Sequence, residues 1–482
     1  MPDETLKDKT ARGLLWGGLS NGAQQVLNLV FGILISRRLT PAEYGMVGML
    51  TIFSLVSGSL VESGFINALA KKKTVEHRDY NAVFWCCLTV SIALYALLFA
   101  CAPLIARFFH HEELIALSRF LFTGFVISSL AVVPTAIFFR ELKIRQKATA
   151  QVMALAVSGT AGVIMAYSGM SYWGLATQTV SYVTVFTLIM WLFTSWRPTL
   201  NFDMAPVRAM FGFSSKLLVT NVFQHINNNV FSLLLGRWYT SRDVGNYTQA
   251  NKWTIMGHSL IANMISGVAM PVFASVSDDR ERLLGVFRKM LRFAAFVSFP
   301  LMFGLSLVAE EFITIAITER WLSAAHLMRL LGIWGAFVPI TTTYVNLIIS
   351  DGRSRVYMQG TVVLGLLQMV QLFLMRHQGL TTMMVAYIVL YVAWLLYWHY
   401  WAHRITGITL LQALKDIAPF ALAAAVAMGA AYAATIGIGN IGWRMAAKMV
   451  CAAAVYIGIM RMTNAVVMKE SLSYLLKKKT NV

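Results

Sequence analysis

Cysteine is nearly absent from this chain. Its 482 residues include 4 cysteines, Cys86, Cys87, Cys101 and Cys451. All four sit in apolar runs, which excludes a disulfide framework and a zinc finger and leaves them as small hydrophobic filler. Acidic groups are scarce too, with 21 Asp and Glu against 40 Lys and Arg. Catalytic signatures are missing: there is no P-loop, no GxSxG, no HExxH and no Cys/His cluster. ATP hydrolysis and metal-assisted hydrolysis by this chain are therefore not expected, and no cofactor or metal is implied. The run His110-His111-Glu112-Glu113 reads as a solvated loop. No connecting segment is long enough to fold as a soluble catalytic domain. The polar start, MPDETLKDKTAR, lacks the pattern of a cleavable leader.

What the chain has is apolar helix. Hydrophobic residues make up 58%, charged residues 13%, and mean hydropathy is +0.64. Apolar runs recur that are long enough to cross a hydrocarbon layer of ~30 Å. They predict an all-α polytopic membrane protein with fourteen spans, at about 13–36, 46–69, 82–105, 117–138, 149–167, 174–195, 213–235, 253–275, 290–309, 326–349, 357–375, 380–401, 417–437 and 443–462. With both termini on one side, that side carries more than twice as many Lys and Arg as the other. The positive-inside rule then places both termini in the cytoplasm. The net charge of +19 thus reflects topology and lipid headgroups rather than nucleic acid. Lys71–Lys73, Arg140 to Lys147, Arg280 to Arg292 and Lys477–Lys479 carry most of this signal, while Arg12 and Lys216 read as anchors at the cytoplasmic ends of spans one and seven.

One stretch is written twice. Residues 20–45 and 220–245 match without a gap at Asn21/Asn221, Gln24/Gln224, Asn28/Asn228, Val30/Val230, Phe31/Phe231, Leu34/Leu234, Arg37/Arg237, Thr40/Thr240 and Gly45/Gly245. Glu43/Asp243 is a close substitution. A second leg at an offset of 210 pairs Glu141 with Asp351, Lys143 with Arg353, Arg145 with Arg355, and Arg119 with Arg329. An even number of spans separates the copies, so the repeat is parallel. The expected architecture is two six-helix lobes, residues 1–200 and 201–403, around a central cavity. Residues 404–482 add helices thirteen and fourteen, rich in Ala and Gly, and a basic tail.

Asn21, Gln24, Gln25 and Asn28 fall on one face of span one, and Asn221, Gln224, His225 and Asn228 on the same face of span seven. Amides suit sugar hydroxyls and phosphate oxygens, and they equally suit hydrogen bonds between helices. Both readings stay open, with cavity lining expected for these eight. Glu62 is the one carboxylate well inside a span, a candidate for H+ or Na+ coupling or a partner for a nearby cation. Arg37, Arg119, Arg237 and Arg329 lie near outer span ends and are candidate phosphate contacts, because a guanidinium can bond two oxygens at once. Trp16, Trp173, Trp191, Trp238, Trp253, Trp321 and Trp443 read as interfacial belts, and Pro134, Pro271, Pro300 and Pro339 as kinks.

The segment Arg38-Leu39-Thr40-Pro41-Ala42-Glu43-Tyr44-Gly45 resembles the first external loop of the polysaccharide-unit flippases, a family of the multidrug/oligosaccharidyl-lipid/polysaccharide exporter superfamily. So do Pro271-Val272-Phe273-Ala274 with Asp278 to Arg282, Glu319-Arg320-Trp321 with Ala324-Ala325, and Asp351-Gly352-Arg353. The resemblance covers the whole chain. It implies a non-enzymatic exporter of the bacterial inner membrane. Such a protein would move an undecaprenyl-diphosphate-linked oligosaccharide to the periplasmic leaflet by alternating access, for O-antigen, capsule or exopolysaccharide synthesis. H+ or Na+ coupling and contact with polysaccharide assembly proteins would fit. The family's cavity arginines do not map onto this chain's amide-rich stripe. A multidrug or toxin extruder is the second reading. A membrane glycosyltransferase or polymerase is the third, and the short loops disfavour it.

Overall fold

The computed structural model describes residues 6–62, 64–200 and 203–463, with side chains from Ser20 onward except at positions 213, 216, 217, 219 and 220. Arg12, Trp16, Lys216 and the Lys477–Lys479 cluster lie outside the described side chains. Among the described residues there are seventeen α-helices, one 3-10 turn and no strand. This follows from the solvent. In hydrocarbon every backbone N–H and C=O needs an internal partner, and a helix provides one within each segment.

Contacts divide the chain into two compact units, Met1–Gly245 and Asn246–Val482. The first holds α1 (Leu6–Arg38), α2 (Pro41–Glu62), α3 (Phe65–Lys71), α4 (His77–Phe109), α5 (Leu114–Arg140), α6 (Ile144–Tyr167), α7 (Trp173–Phe193) and α8 (Ala205–Trp238). The second holds most of α9 (Ser241–Ser275), then α10 (Arg280–Leu307), α11 (Ala309–Ile317), the 3-10 turn Glu319–Trp321, α12 (Leu322–Ser350) and α13 (Ser354–Met375). It closes with α14 (Leu380–Ala393), α15 (Leu395–Thr406), α16 (Leu410–Thr435) and α17 (Ile441–Met462). Twelve described helical segments are long and apolar enough to cross a membrane. The helices α1 and α8, which carry the amide stripes, are not among the twelve. At 33 and 34 residues, each is about 50 Å long at the α-helical rise.

In the first unit α1 packs along α6, α6 along α7, and α8 along α2 and α4. Small residues permit this closeness. A Cβ on Gly159 of α6 would overlap the Phe31 ring of α1, and one on Gly174 of α7 would stand 3.0 Å from the Gly162 carbonyl oxygen of α6. In the second unit α10 is central, packing on α12 and α16. Ser298 donates to the Ala336 carbonyl across α10 and α12 at 2.7 Å, and Tyr456 of α17 donates to the Phe296 carbonyl at 2.9 Å.

Two expectations change. Span two is broken: α2 stops at Glu62, Gly64 takes φ +70°, and α3 restarts at Phe65. Glu62 therefore sits at the break, exposed on the surface of its unit, within the candidate span Pro41–Lys71 that the two helices make together. Trp253 and Trp321 are core residues rather than exposed belt residues. They are 3% and 0% exposed, because Trp253 packs edge-on to Phe312 and Trp321 fills the core beside the 3-10 turn. The four prolines do lie inside helices, Pro134 in α5, Pro271 in α9, Pro300 in α10 and Pro339 in α12.

Candidate functional site

The outer ends of the duplicated stretch carry the same local chemistry twice. In the first copy Thr40 N–H donates to Glu43 Oε2 at 2.6 Å, Thr40 Oγ1 donates to the same oxygen at 2.9 Å, and Glu43 N–H donates back to Thr40 Oγ1 at 3.4 Å. In the second, the Thr240 amide and hydroxyl donate to Asp243 Oδ2 at 3.2 and 2.7 Å, and Asp243 N–H donates to Thr240 Oγ1 at 3.2 Å. Both are capping boxes that satisfy amides at the starts of α2 and α9. The arginines Arg37 and Arg237 occupy the last turns of α1 and α8, where the helix dipole favours cations. Two residues beyond each box, the glycines cross: a Cβ on Gly45 would fall 1.8 Å from the Ser241 carbonyl oxygen, and one on Gly245 would fall 1.7 Å from that of Pro41.

The second leg repeats as faithfully. After α5, Glu141, Leu142 and Lys143 donate their amides to Ile137, Phe139 and Phe138. After α12, Asp351, Gly352 and Arg353 donate to Leu347, Ile349 and Ile348. The central residue is left-handed in both, Leu142 at φ 54° and Gly352 at φ 79°. The flanking charges pair in both, Lys143 with Glu141 at 2.6 Å and Arg353 with Asp351 at 2.5 Å.

None of the four predicted arginines is free. Arg237 lies over the Phe108 ring at 5.4 Å and contacts His110 Nε2. Arg119 stacks over Phe99 at 4.2 Å and donates to its carbonyl at 3.5 Å. Arg329 pairs with Glu310 at 2.6 Å and lines a pocket of about 500 Å³ with Phe303, Met428 and Tyr432. Arg37 is exposed.

The amide stripe is mixed. Asn21, Asn28 and Asn228 are exposed; Gln24, Gln25, Asn221, Gln224 and His225 are half-buried. Gln24 donates to Ser20 Oγ at 3.0 Å on its own helix, and Asn229 to the His225 carbonyl at 2.9 Å. Asn21 lines a cavity of about 270 Å³ with residues of α5 and α6, none of them from the other stripe.

Sequence reasoning missed the most deeply buried charges. Glu311 is 1% exposed, with Lys448 Nζ at 2.6 Å and Arg444 Nε at 2.8 Å. Burial alone would raise its carboxyl; the Lys448 ammonium and then Arg444 outweigh this and hold it below its ordinary value. Asp416, 3% exposed, takes Arg288 Nε at 2.6 Å. The signal was there in Lys448, a cation within an apolar span that demands an anion nearby. His258 is likewise buried, edge-on to Trp334 at 5.3 Å.

This all-helical arrangement has counterparts among known proteins. The family described as polysaccharide biosynthesis protein matches residues 34–326. The chain belongs to that family. The lipopolysaccharide biosynthesis protein WzxC of Escherichia coli strain K12 is 23% identical over 355 residues, covering 72% of this chain and 71% of that protein. The teichuronic acid biosynthesis protein TuaB of Bacillus subtilis strain 168 is 23% identical over 362 residues, 71% of each. Among solved structures, the lipid II flippase MurJ in an inward closed conformation superposes with a TM-score of 0.78 at 14% identity, covering 93% of this chain and 98% of that one. An inward-facing multidrug resistance MATE transporter of the MOP superfamily gives 0.66 at 18% identity, covering 80% and 95%. At these identities the two structures establish the fold of this polysaccharide biosynthesis family member. It is a multi-pass helical membrane protein.

Proposed function

We propose that this protein flips an undecaprenyl-diphosphate-linked oligosaccharide from the cytoplasmic to the periplasmic leaflet of a bacterial inner membrane. The observation that carries this reading is the family match across residues 34–326 of a chain built from apolar helices. Among the described residues the connections between helices are short, which weighs against a transferase domain. Relatives named for lipopolysaccharide, teichuronic acid and succinoglycan biosynthesis or transport support the substrate class. The fold shared with a lipid II flippase supports the mode of action.

In this reading α1 and α8 also span, giving fourteen crossings with both termini cytoplasmic. The capping boxes, the crossed glycines and the two matching turns support a parallel repeat with lobes at residues 1–200 and 201–403, and residues 404–482 as an addition. Alternating access of the lobes exposes the amide stripes of α1 and α8 to one side and then the other. Their uncharged donors hold sugar hydroxyls without trapping them. Coupling to H+ or Na+ through Glu62, docking of polysaccharide assembly proteins, and diphosphate contact by Arg37 or Arg329 belong to the same proposal. Multidrug extrusion shares the fold, and the family match weighs against it.

Deleting the gene tests the reading. The lipid-linked unit should accumulate in the cytoplasmic leaflet, identified by mass spectrometry of extracted lipids, and the surface polysaccharide should be lost. Unchanged polysaccharide with no such accumulation would refute it.

A further inference from the structure

The cavity beside Asn21 has no role in the repeat. It is lined by Ser20 and Asn21 of α1, the end of α5, Lys143 just before α6, and Lys147 and Gln151 one turn apart in the first turns of α6. The helical spacing puts Lys147 and Gln151 on one face, and Lys143 borders the same cavity from the residue that precedes the helix. The start of α6 adds the positive end of its dipole. Exposed apolar side chains flank the cations: Phe139, Leu142 and Ile144 are 50%, 46% and 36% exposed. Cations within an apolar rim suit an amphiphile, with an anionic head and a hydrocarbon tail.

The second copy of this turn is built differently. Where Lys147 stands in the first, the second has Tyr357, packed on Trp398 with ring centroids 6.2 Å apart. Arg353, the counterpart of Lys143, lies over the Trp401 ring at 5.7 Å. One repeat fills this corner with aromatic rings, and the other leaves a cavity walled by lysines. The acidic groups near the cations are Glu141, paired with Lys143, and Glu62, opposite Lys147. Arg145 and Arg140 keep the surroundings positive.

The geometry points to a binding site for the phosphate of a lipid at the α1–α5–α6 corner, with Lys143 and Lys147 as its cations and Asn21 and Gln151 as uncharged donors. It rests on the orientation proposed above, which puts this corner at the cytoplasmic leaflet. Two lipids carry that chemistry, the polyprenyl carrier and an anionic phospholipid. The site gathers the phosphate before transport with Asn21, the first amide of the α1 stripe, and leaves the rest of the stripe to the sugar.

Native mass spectrometry of the purified full-length protein tests this with three probes: undecaprenyl phosphate, phosphatidylglycerol, and diacylglycerol, which has no phosphate. The Lys143→Gln/Lys147→Gln variant should retain phosphate-bearing lipid roughly tenfold less than wild type, the effect of losing charge-assisted hydrogen bonds, with diacylglycerol unchanged. Loss confined to undecaprenyl phosphate identifies the carrier as the ligand; loss of both phosphate lipids identifies a general headgroup site. Lys147→Tyr, which copies the second repeat, should behave like the double variant while melting at the wild-type temperature. Equal retention of both phosphate lipids by wild type and variants overturns the proposal. Because binding is read on purified protein, a deletion strain that accumulates no lipid-linked unit would remove the transport reading and leave this result standing.

Discussion

Gly45 and Gly245 meet backbone to backbone, the amide nitrogen of each 3.0 Å from where the other's Cβ would stand. The contact is reciprocal, since each position also faces the carbonyl of the residue four places before its counterpart, Ser241 or Pro41. Only a residue without a side chain permits that approach. A match that reads in sequence as a copied cavity is, at this end, a copied crossing.

Gly45→Ala and Gly245→Ala should therefore each destabilise the protein by at least about 1–3 kcal/mol, the cost of overpacking. Gly58, with nothing within 4 Å of its Cβ position, is the control: Gly58→Ala should be neutral or gain up to about 1 kcal/mol in helix propensity. Melting temperatures in detergent decide it. Equal behaviour of all three variants would remove the crossing.

The paired turns predict an asymmetry. Leu142 holds a left-handed backbone at φ 54° where its counterpart is Gly352. Leu142→Gly should relieve about 1 kcal/mol of strain, and Gly352→Leu should cost about as much. Chemical denaturation of both variants checks the signs.

Glu311 and Lys448 tie α11 to α17. Replacing Glu311 by Gln leaves a buried ammonium poorly matched and should cost about 3–5 kcal/mol. The pH dependence has a fixed sign. The Glu311 carboxyl is held below its ordinary 4.5, so its contribution is complete above that value and is lost as pH falls through the lowered one. The difference in melting temperature between wild type and Glu311→Gln should be constant near neutrality and shrink in acid below 4.5. A difference that grows in acid would reverse the assignment.

Transport is tested at the stripes and at Glu62. Joint replacement of Asn28 and Asn228 by Leu should reduce polysaccharide export at unchanged protein abundance. If export persists, the amides serve packing. Glu62→Gln should lower export if this carboxylate couples an ion. Wild-type output with unaltered ion dependence would leave Lys147 as its whole purpose.

Much of this was legible in the residues. Apolar runs of about twenty residues separated by short basic or polar turns point to helices, because hydrocarbon admits only helices and closed β-barrels and barrel strands are about half that length. The matches at Thr40/Thr240, Glu43/Asp243 and Gly45/Gly245 marked a duplicated structural element, since caps and close crossings depend on residues a few positions apart. Sequence could not say that span two breaks at Gly64, that Glu311 lies buried against Lys448, or that Lys143 and Lys147 border a cavity where the other copy packs Tyr357 on Trp398. Those outcomes depend on which helices become neighbours across a hundred or more residues. Local periodicity records the face a helix buries; the partner it meets there is chosen only when the whole bundle packs.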